Sequence, residues 1–271
     1  MPKIHPQAAI DPKACLADDV EIGPFCVVGP DVTIGPGCRL VAHVAILGRT
    51  TVGARNVFYP NSVIGAPPQD KKYKNEPTEL VIGDDNQIRE SVTLHAGTIQ
   101  DKRSGGITRL GNGNLMMVNS HLGHDCQFGN NNIVSNNVMV AGHVLCGNNA
   151  VILGGTGVHH FVTIGDFAFI AGMSRIHHDV PPYVKVSDDD VIRGLNAVGL
   201  RRAGFAEDDI KSLEIVVRKL FVTRDKPFSI TLAEYANGKA GDNPLVKQIV
   251  DFLQRRDEGK HGRYLEALRH A

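Results

Sequence analysis

Histidine and aspartate crowd one short stretch of the sequence, SHLGHDC at residues 120–126, and more histidines follow at 143, 159 and 160. Two kinds of chemistry use this set. A neutral histidine removes a proton from a hydroxyl while a carboxylate fixes its tautomer, and His124 followed by Asp125 supplies that pair. Histidines and carboxylates also bind zinc. A third reading is purely structural, with turn histidines hydrogen-bonding across neighbouring strands. Which reading holds depends on the scaffold that places these residues.

That scaffold is legible as a repeat. Apolar residues recur every six positions at Ile4, Ile10, Leu16, Ile22, Val28, Ile34, Leu40, Ile46, Val52, Phe58 and Ile64, then at Ile82, Ile88 and Leu94. The register restarts at Leu110 and runs unbroken to Ile176. A helix repeats near 3.6 and an exposed strand near 2, so a period of six fits neither. The fourth residue after the apolar one is usually small, as at Cys26, Cys38, Ser62, Ser120, Cys126, Ala150, Ala168 and Ser174. Gly or Asn serves the turns, where φ is often positive. This is the hexapeptide form of the parallel β-helix, in which three short strands make one triangular coil. Cys26, Cys38, Cys126 and Cys146 fall at inward positions and read as packing residues.

One coil is 18 residues, so residues 18 apart stack at the strand spacing of about 4.8 Å. His124 then stacks on Gly142 and His160, and Asp125 on His143 and Phe161. His121, His124, His143, His159 and His160 gather along one edge. Glycine at 142 leaves room beside His124 and a free N–H to face a developing oxyanion. Against zinc, His121 and His124 have no matching histidine pair one coil on.

Residues 65–81 and 99–109 interrupt the repeat, and polar insertions in a solenoid become loops on one face. After DVPPYVKV at 179–186 the period is lost. Helical spacing appears at 206–221 and 243–256, the latter with Asn243 as N-cap and Pro244 at the first position. We therefore expect a β-helix over 1–189 and a small helical domain over 190–271. Net charge is zero, which gives no bulk attraction to nucleic acid or anionic membrane. No apolar run reaches membrane-span length. The start lacks a signal-peptide layout and the five cysteines form no CxxC pair, so a reduced cytoplasmic setting is expected.

Several motifs together resemble one family: HLGHDC at 121–126, AGHV at 141–144, HHF at 159–161, DVPPYV at 179–184, QDKKY at 69–73, EPT at 76–78 and IRESVTLHAGT at 88–98. They are similar to the UDP-N-acetylglucosamine O-acyltransferases of lipid A biosynthesis, hexapeptide-repeat enzymes whose helix is left-handed. The resemblance runs from about residue 4 to LRRAGF at 200–205, more weakly beyond. It implies transfer of an (R)-3-hydroxyacyl chain from acyl carrier protein to the sugar 3-hydroxyl of UDP-N-acetylglucosamine, with no cofactor and no metal. His124 matches the base, Asp125 its orienting partner and the Gly142 backbone the oxyanion donor. Asp70 and Lys72 match sugar contacts, and His121, His143 and His159 match residues near the sugar and acyl carbonyl. Asn196 and Arg202 match nucleotide contacts, and Gly172 a position that limits acyl depth. The family site lies between subunits, which implies a homotrimer.

The sequence departs from the family pattern in places. His160, in the substrate-binding row, stands where Gln is usual; Val198 replaces an acidic residue and Ala203 a second Arg. SDDD at 187–190 and Phe169 alter the end of the acyl groove. A same-fold N-acyltransferase is the main rival, although it normally carries an extra N-terminal domain and here the repeats begin at Ile4. A zinc-dependent carbonic anhydrase of the fold and a non-enzymatic β-helix are weaker alternatives. Since carrier proteins are acidic, we expect a basic landing surface from Arg201, Arg202, Lys211, Arg218, Lys219, Arg224, Lys247, Arg255 and Arg256, with Lys102, Arg103 and Arg109 from the second loop.

Overall fold

The protein is described here by a computed structural model, covering residues 1–100, 103–239 and 243–270. Lys102 therefore lies outside the described residues. The hexapeptides become strands of mostly two residues, arranged in three sheets of 11, 9 and 8 strands. Consecutive strands do not pair. Lys3–Ile4 pairs in parallel with Glu21–Ile22, and Ala9–Ile10 with Val27–Val28, one coil further on. The result is a left-handed parallel β-helix followed by helices.

The register explains itself physically. From Ile22 to Ile176 every residue of the apolar series is buried inside the triangle. Ile4 is 43% exposed because no coil lies beneath it. The small inward residues Cys26, Cys38, Cys126 and Cys146 are buried free thiols, as a narrow coil interior requires, whereas Cys15 is exposed.

Both excursions lie between strands of the same ladder. Residues stacked across the first, such as Arg55 and Asp85, are 30 apart instead of 18. The surplus is a whole number of hexapeptides, so the register survives. Across the second, Thr93 stacks on His121 at a separation of 28. That surplus is not a multiple of six, and the period has to restart.

At the far end, Val184–Ser187 continues the largest sheet in parallel, and Val191–Leu195 folds back on it antiparallel. Helices occupy Ala197–Arg202, Glu207–Val217, Phe228–Glu234, Pro244–Asp257 and Tyr264–Ala267. Glu207–Val217 runs on as a wider π-turn over Arg218–Thr223. Asn243 caps its helix as expected, its side-chain oxygen accepting from Leu245 N at 3.0 Å and Val246 N at 3.3 Å. Leu200, Ile210, Leu213, Ile249 and Leu253 close the helical core, which is continuous with Val184 and Val186 of the last coil.

Candidate active site

The coil corners bearing Asp125, His143 and Phe161 share one left-handed conformation, with φ of 62°, 65° and 64°. For non-glycine residues this costs on the order of 1–3 kcal/mol each and persists only where neighbours hold it. His143 N–H is held by His124 O at 2.9 Å. Asp125 N–H donates instead to Thr108 Oγ1 at 2.7 Å, because the second excursion displaces the coil before it.

The same excursion encloses the Asp125 carboxylate, which is fully buried. Its Oδ1 accepts from Thr98 N–H and Ser104 Oγ, both at 2.8 Å. Its Oδ2 accepts from Thr98 Oγ1 at 2.7 Å and lies 2.8 Å from His124 Nδ1. Burial pushes this carboxyl up, but hydrogen bonds from His124, Thr98 and Ser104 outweigh it and hold the acid below its usual range. An ionised partner keeps the proton on His124 Nδ1 and leaves Nε2 as a base.

The His124 ring lies against Gly142. A Cβ at residue 142 would sit 2.7–3.0 Å from its Cε1, Nε2 and Nδ1, so only glycine admits the imidazole. Among the described residues no acceptor takes the Gly142 N–H. His143 meets His124 edge-on at 4.9 Å between centroids and stacks on Phe161 at 4.4 Å. His95 and His121 pack edge to face at 4.9 Å, and His121 Nδ1 lies 2.8 Å from Thr93 Oγ1. Burial lowers His95 to about 4, helped by His121 and His124, and burial lowers His121 too, helped by His124. Both are neutral neighbours of the base. The buried His95 Nδ1 has no hydrogen-bond partner among the described residues.

His124, His143 and His160 open onto a chamber of about 790 Å³, walled by Asp70, Lys72, Arg103 and Phe161, among others. Asp70 shapes its own loop by accepting Lys72 N–H at 2.9 Å. Of the residues the sequence singled out, the chamber thus gathers His124, His143, His160, Asp70 and Lys72. His121, His159, Gly172, Asn196 and Arg202 do not line it. His159 touches His160 at 4.5 Å between centroids, one step outside. Gly172 is an exposed corner beside Gly154 O. Asn196 caps its helix, accepting from Gly199 N–H and donating to Phe167 O at 3.0 Å, while Arg202 is exposed in that helix's last turn. Sequence reasoning missed Thr98, Ser104 and His95 as parts of the site and placed Phe161 only in the column of Asp125 and His143; it also missed Leu265, Leu268 and Arg269, which line the chamber. The segment IRESVTLHAGT held the signal for Thr98 and His95. Nothing in the sequence pattern marked the C-terminal wall.

His124, Asp125 and His143 also bring donor atoms within 4.8 Å of one another, the spacing of a metal site. Both carboxylate oxygens are already engaged by hydroxyl and amide donors, which fits an orienting role for the acid.

The chain is similar throughout its length to proteins of one kind. It is 52% identical over 96% of its length, and 99% of the relative's, to the acyl-[acyl-carrier-protein]–UDP-N-acetylglucosamine O-acyltransferase of Akkermansia muciniphila. The chain belongs to that family. A relative of the same name from Azorhizobium caulinodans is 49% identical over 92% of this chain and 91% of its own. The crystal structure of UDP-N-acetylglucosamine O-acyltransferase from Moraxella catarrhalis superposes with a TM-score of 0.85 at 43% identity, covering 92% of this chain and 95% of that one. Residues 179–262 match the family described as UDP-N-acetylglucosamine O-acyltransferase, domain 2. Residues 4–104 match a GMPPB C-terminal domain, a match confined to the first part of the solenoid. The protein is an acyltransferase. Among the described residues no helix is long and apolar enough to cross a membrane.

Proposed function

We propose that the enzyme transfers an (R)-3-hydroxyacyl chain from acyl carrier protein to the 3-hydroxyl of UDP-N-acetylglucosamine, the first step of lipid A synthesis, in the cytoplasm. The observation that carries the mechanism is the His124–Asp125 contact at 2.8 Å on a fully buried, multiply hydrogen-bonded carboxylate. His124 Nε2 takes the proton of the sugar hydroxyl as its oxygen attacks the carrier thioester. The Gly142 N–H donates to the carbonyl oxygen as it becomes an oxyanion. When the C–S bond breaks, the proton on His124 passes to the departing thiolate. Asp70 and Lys72 act on the sugar from the loop, and His143 and His160 line its other side.

The active unit in this reading is a homotrimer with the site between subunits. What fits it is that His121, His159, Gly172, Asn196 and Arg202, which the resemblance places against substrate, do not line the chamber of a single chain, as expected where a second chain supplies the rest of the site. The division at 189/190 into a β-helix and a C-terminal helical domain belongs to the same reading, with the helices as the carrier's landing surface. Arg201 is bound to Glu207 at 2.7 Å and Lys211 to Asp208 at 3.2 Å, so the exposed Arg218, Arg224 and Lys247 are its better members. The test is mass spectrometry of the product formed from UDP-N-acetylglucosamine and a mixture of acyl carrier proteins. An ester at the 3-hydroxyl is expected. An amide on an amino sugar, or no product, overturns the proposal.

A further inference from the structure

The C-terminal segment is fastened to the coils. Asp179 accepts Tyr264 N–H at 2.8 Å and Thr163 N–H at 2.6 Å, and its own N–H donates to Gly262 O at 2.8 Å. Arg263 Nη1 donates to His177 O at 2.7 Å, and Leu265 is buried. The short helix Tyr264–Ala267 is thus anchored at its start, and the next turn delivers Arg269 to the chamber.

The guanidinium of Arg269 lies 5.4 Å from the Phe161 ring centre, over the ring that stacks on His143. Its acidic partner is shared. Glu266 is 3.2 Å from the buried Arg263 and 3.6 Å from Arg269. Among the described residues Glu266 is the carboxylate that Arg269 approaches, and it lies nearer to Arg263, so the pairing of Arg269 is loose. Arg269 is 44% exposed and lines the cavity, as do Lys71, Lys72 and Arg103 against Asp70, the single acid there among the described residues. A planar guanidinium fixed beside a chamber with excess positive charge is suited to bidentate binding of a phosphate.

We propose that Arg269 is a phosphate-binding residue of this site. The proposal rests on the functional reading above, in which both substrates carry phosphate: a diphosphate in the sugar nucleotide and a phosphodiester in the prosthetic arm of the carrier. Arg269 completes the chamber with a segment outside the repeat.

The test is Arg269→Ala and Arg269→Lys in the full chain, with KM measured separately for the sugar nucleotide and for the acyl carrier protein. Loss of a charge-assisted hydrogen bond predicts a rise in one KM of roughly tenfold or more, with kcat changed less than about threefold. Arg269→Lys recovers part of the loss. A rise confined to the sugar nucleotide assigns the diphosphate, and a rise confined to the carrier assigns its phosphodiester. If neither KM moves, or kcat falls alone, the proposal is overturned. Titration with inorganic pyrophosphate separates this from a failure of the functional reading. Should the wild type transfer nothing, weaker pyrophosphate binding by Arg269→Ala still supports the phosphate site, and equal binding rejects it.

Discussion

Replacing Asp125 by Asn or by Ala should order the two variants oppositely in activity and in stability. In the wild type, Oδ1 accepts one N–H, from Thr98, and one hydroxyl, from Ser104. Oδ2 accepts the Thr98 hydroxyl and faces His124 Nδ1. An Asn side chain has to put its NH₂ at one of these places. At Oδ1 it would confront the Thr98 N–H, which cannot turn away. At Oδ2 it meets a hydroxyl, which can rotate, and a histidine, which can change tautomer. The second arrangement wins, and it leaves His124 Nδ1 as acceptor and Nε2 protonated, so the base is blocked. Tautomer errors of this kind cost about 10⁴ in kcat in a Ser-His-Asp triad, and roughly 10³–10⁴ is expected here. Asp125→Ala frees His124 to adopt either tautomer, so its loss should be smaller, roughly 10–10² by the same reasoning. It takes from the buried Thr98 N–H and Thr98 hydroxyl the carboxylate oxygens that accept them, at about 1–3 kcal/mol each. Ala should therefore melt lower than Asn yet turn over faster. The assay pairs thermal melts with steady-state transfer rates. Asn matching or exceeding Ala in kcat would refute the tautomer argument.

Three further outcomes follow from the geometry. Gly142→Ala should fold normally and lose most of its activity, because its Cβ would displace the His124 ring 2.7–3.0 Å away while the backbone φ is an ordinary one; a fully active variant would show that the ring does not work where it lies. Burial raises the Asp179 carboxyl to about 6, against the N–H groups of Tyr264 and Thr163 that lower it. The folded chain then holds this proton more tightly than the unfolded chain does, so the stability it contributes is full below about pH 4 and is lost as pH rises through about 6. The melting temperature of wild type relative to Asp179→Asn should rise on acidification from about pH 7 to 5, and a flat difference would contradict this. EDTA should leave transfer unchanged; loss restored by zinc would make His124, Asp125 and His143 metal ligands.

The solenoid was legible because the inside of a triangular coil accepts one apolar and one small residue per side, which stamps a period of six on the chain. His124, Asp125, His143 and Gly142 were legible for the same reason, since an 18-residue coil turns sequence distance into stacking. The period fails at the second excursion, and there the sequence hid Thr98, Ser104 and Thr108, whose hydrogen bonds to Asp125 depend on how a non-repeating loop folds back. Leu265, Leu268 and Arg269 were invisible for another reason. They reach the chamber through tertiary anchoring at Asp179, a residue read only as part of DVPPYV. Arg103, counted among the carrier's landing residues, lies in the chamber wall, with Nη2 3.4 Å from His143 O. Val191–Leu195 was not foreseen as a strand because it pairs antiparallel, outside the repeat.

The most direct test of the account is the transfer rate of His124→Ala, measured on protein whose melting temperature and assembly match the wild type. His124 is a partly exposed side chain over a glycine, so its truncation should leave the coil intact. Loss of a general base predicts a fall of about 10²–10⁴ in rate. A folded variant that keeps more than about a tenth of wild-type activity would contradict the assignment of His124 as the base.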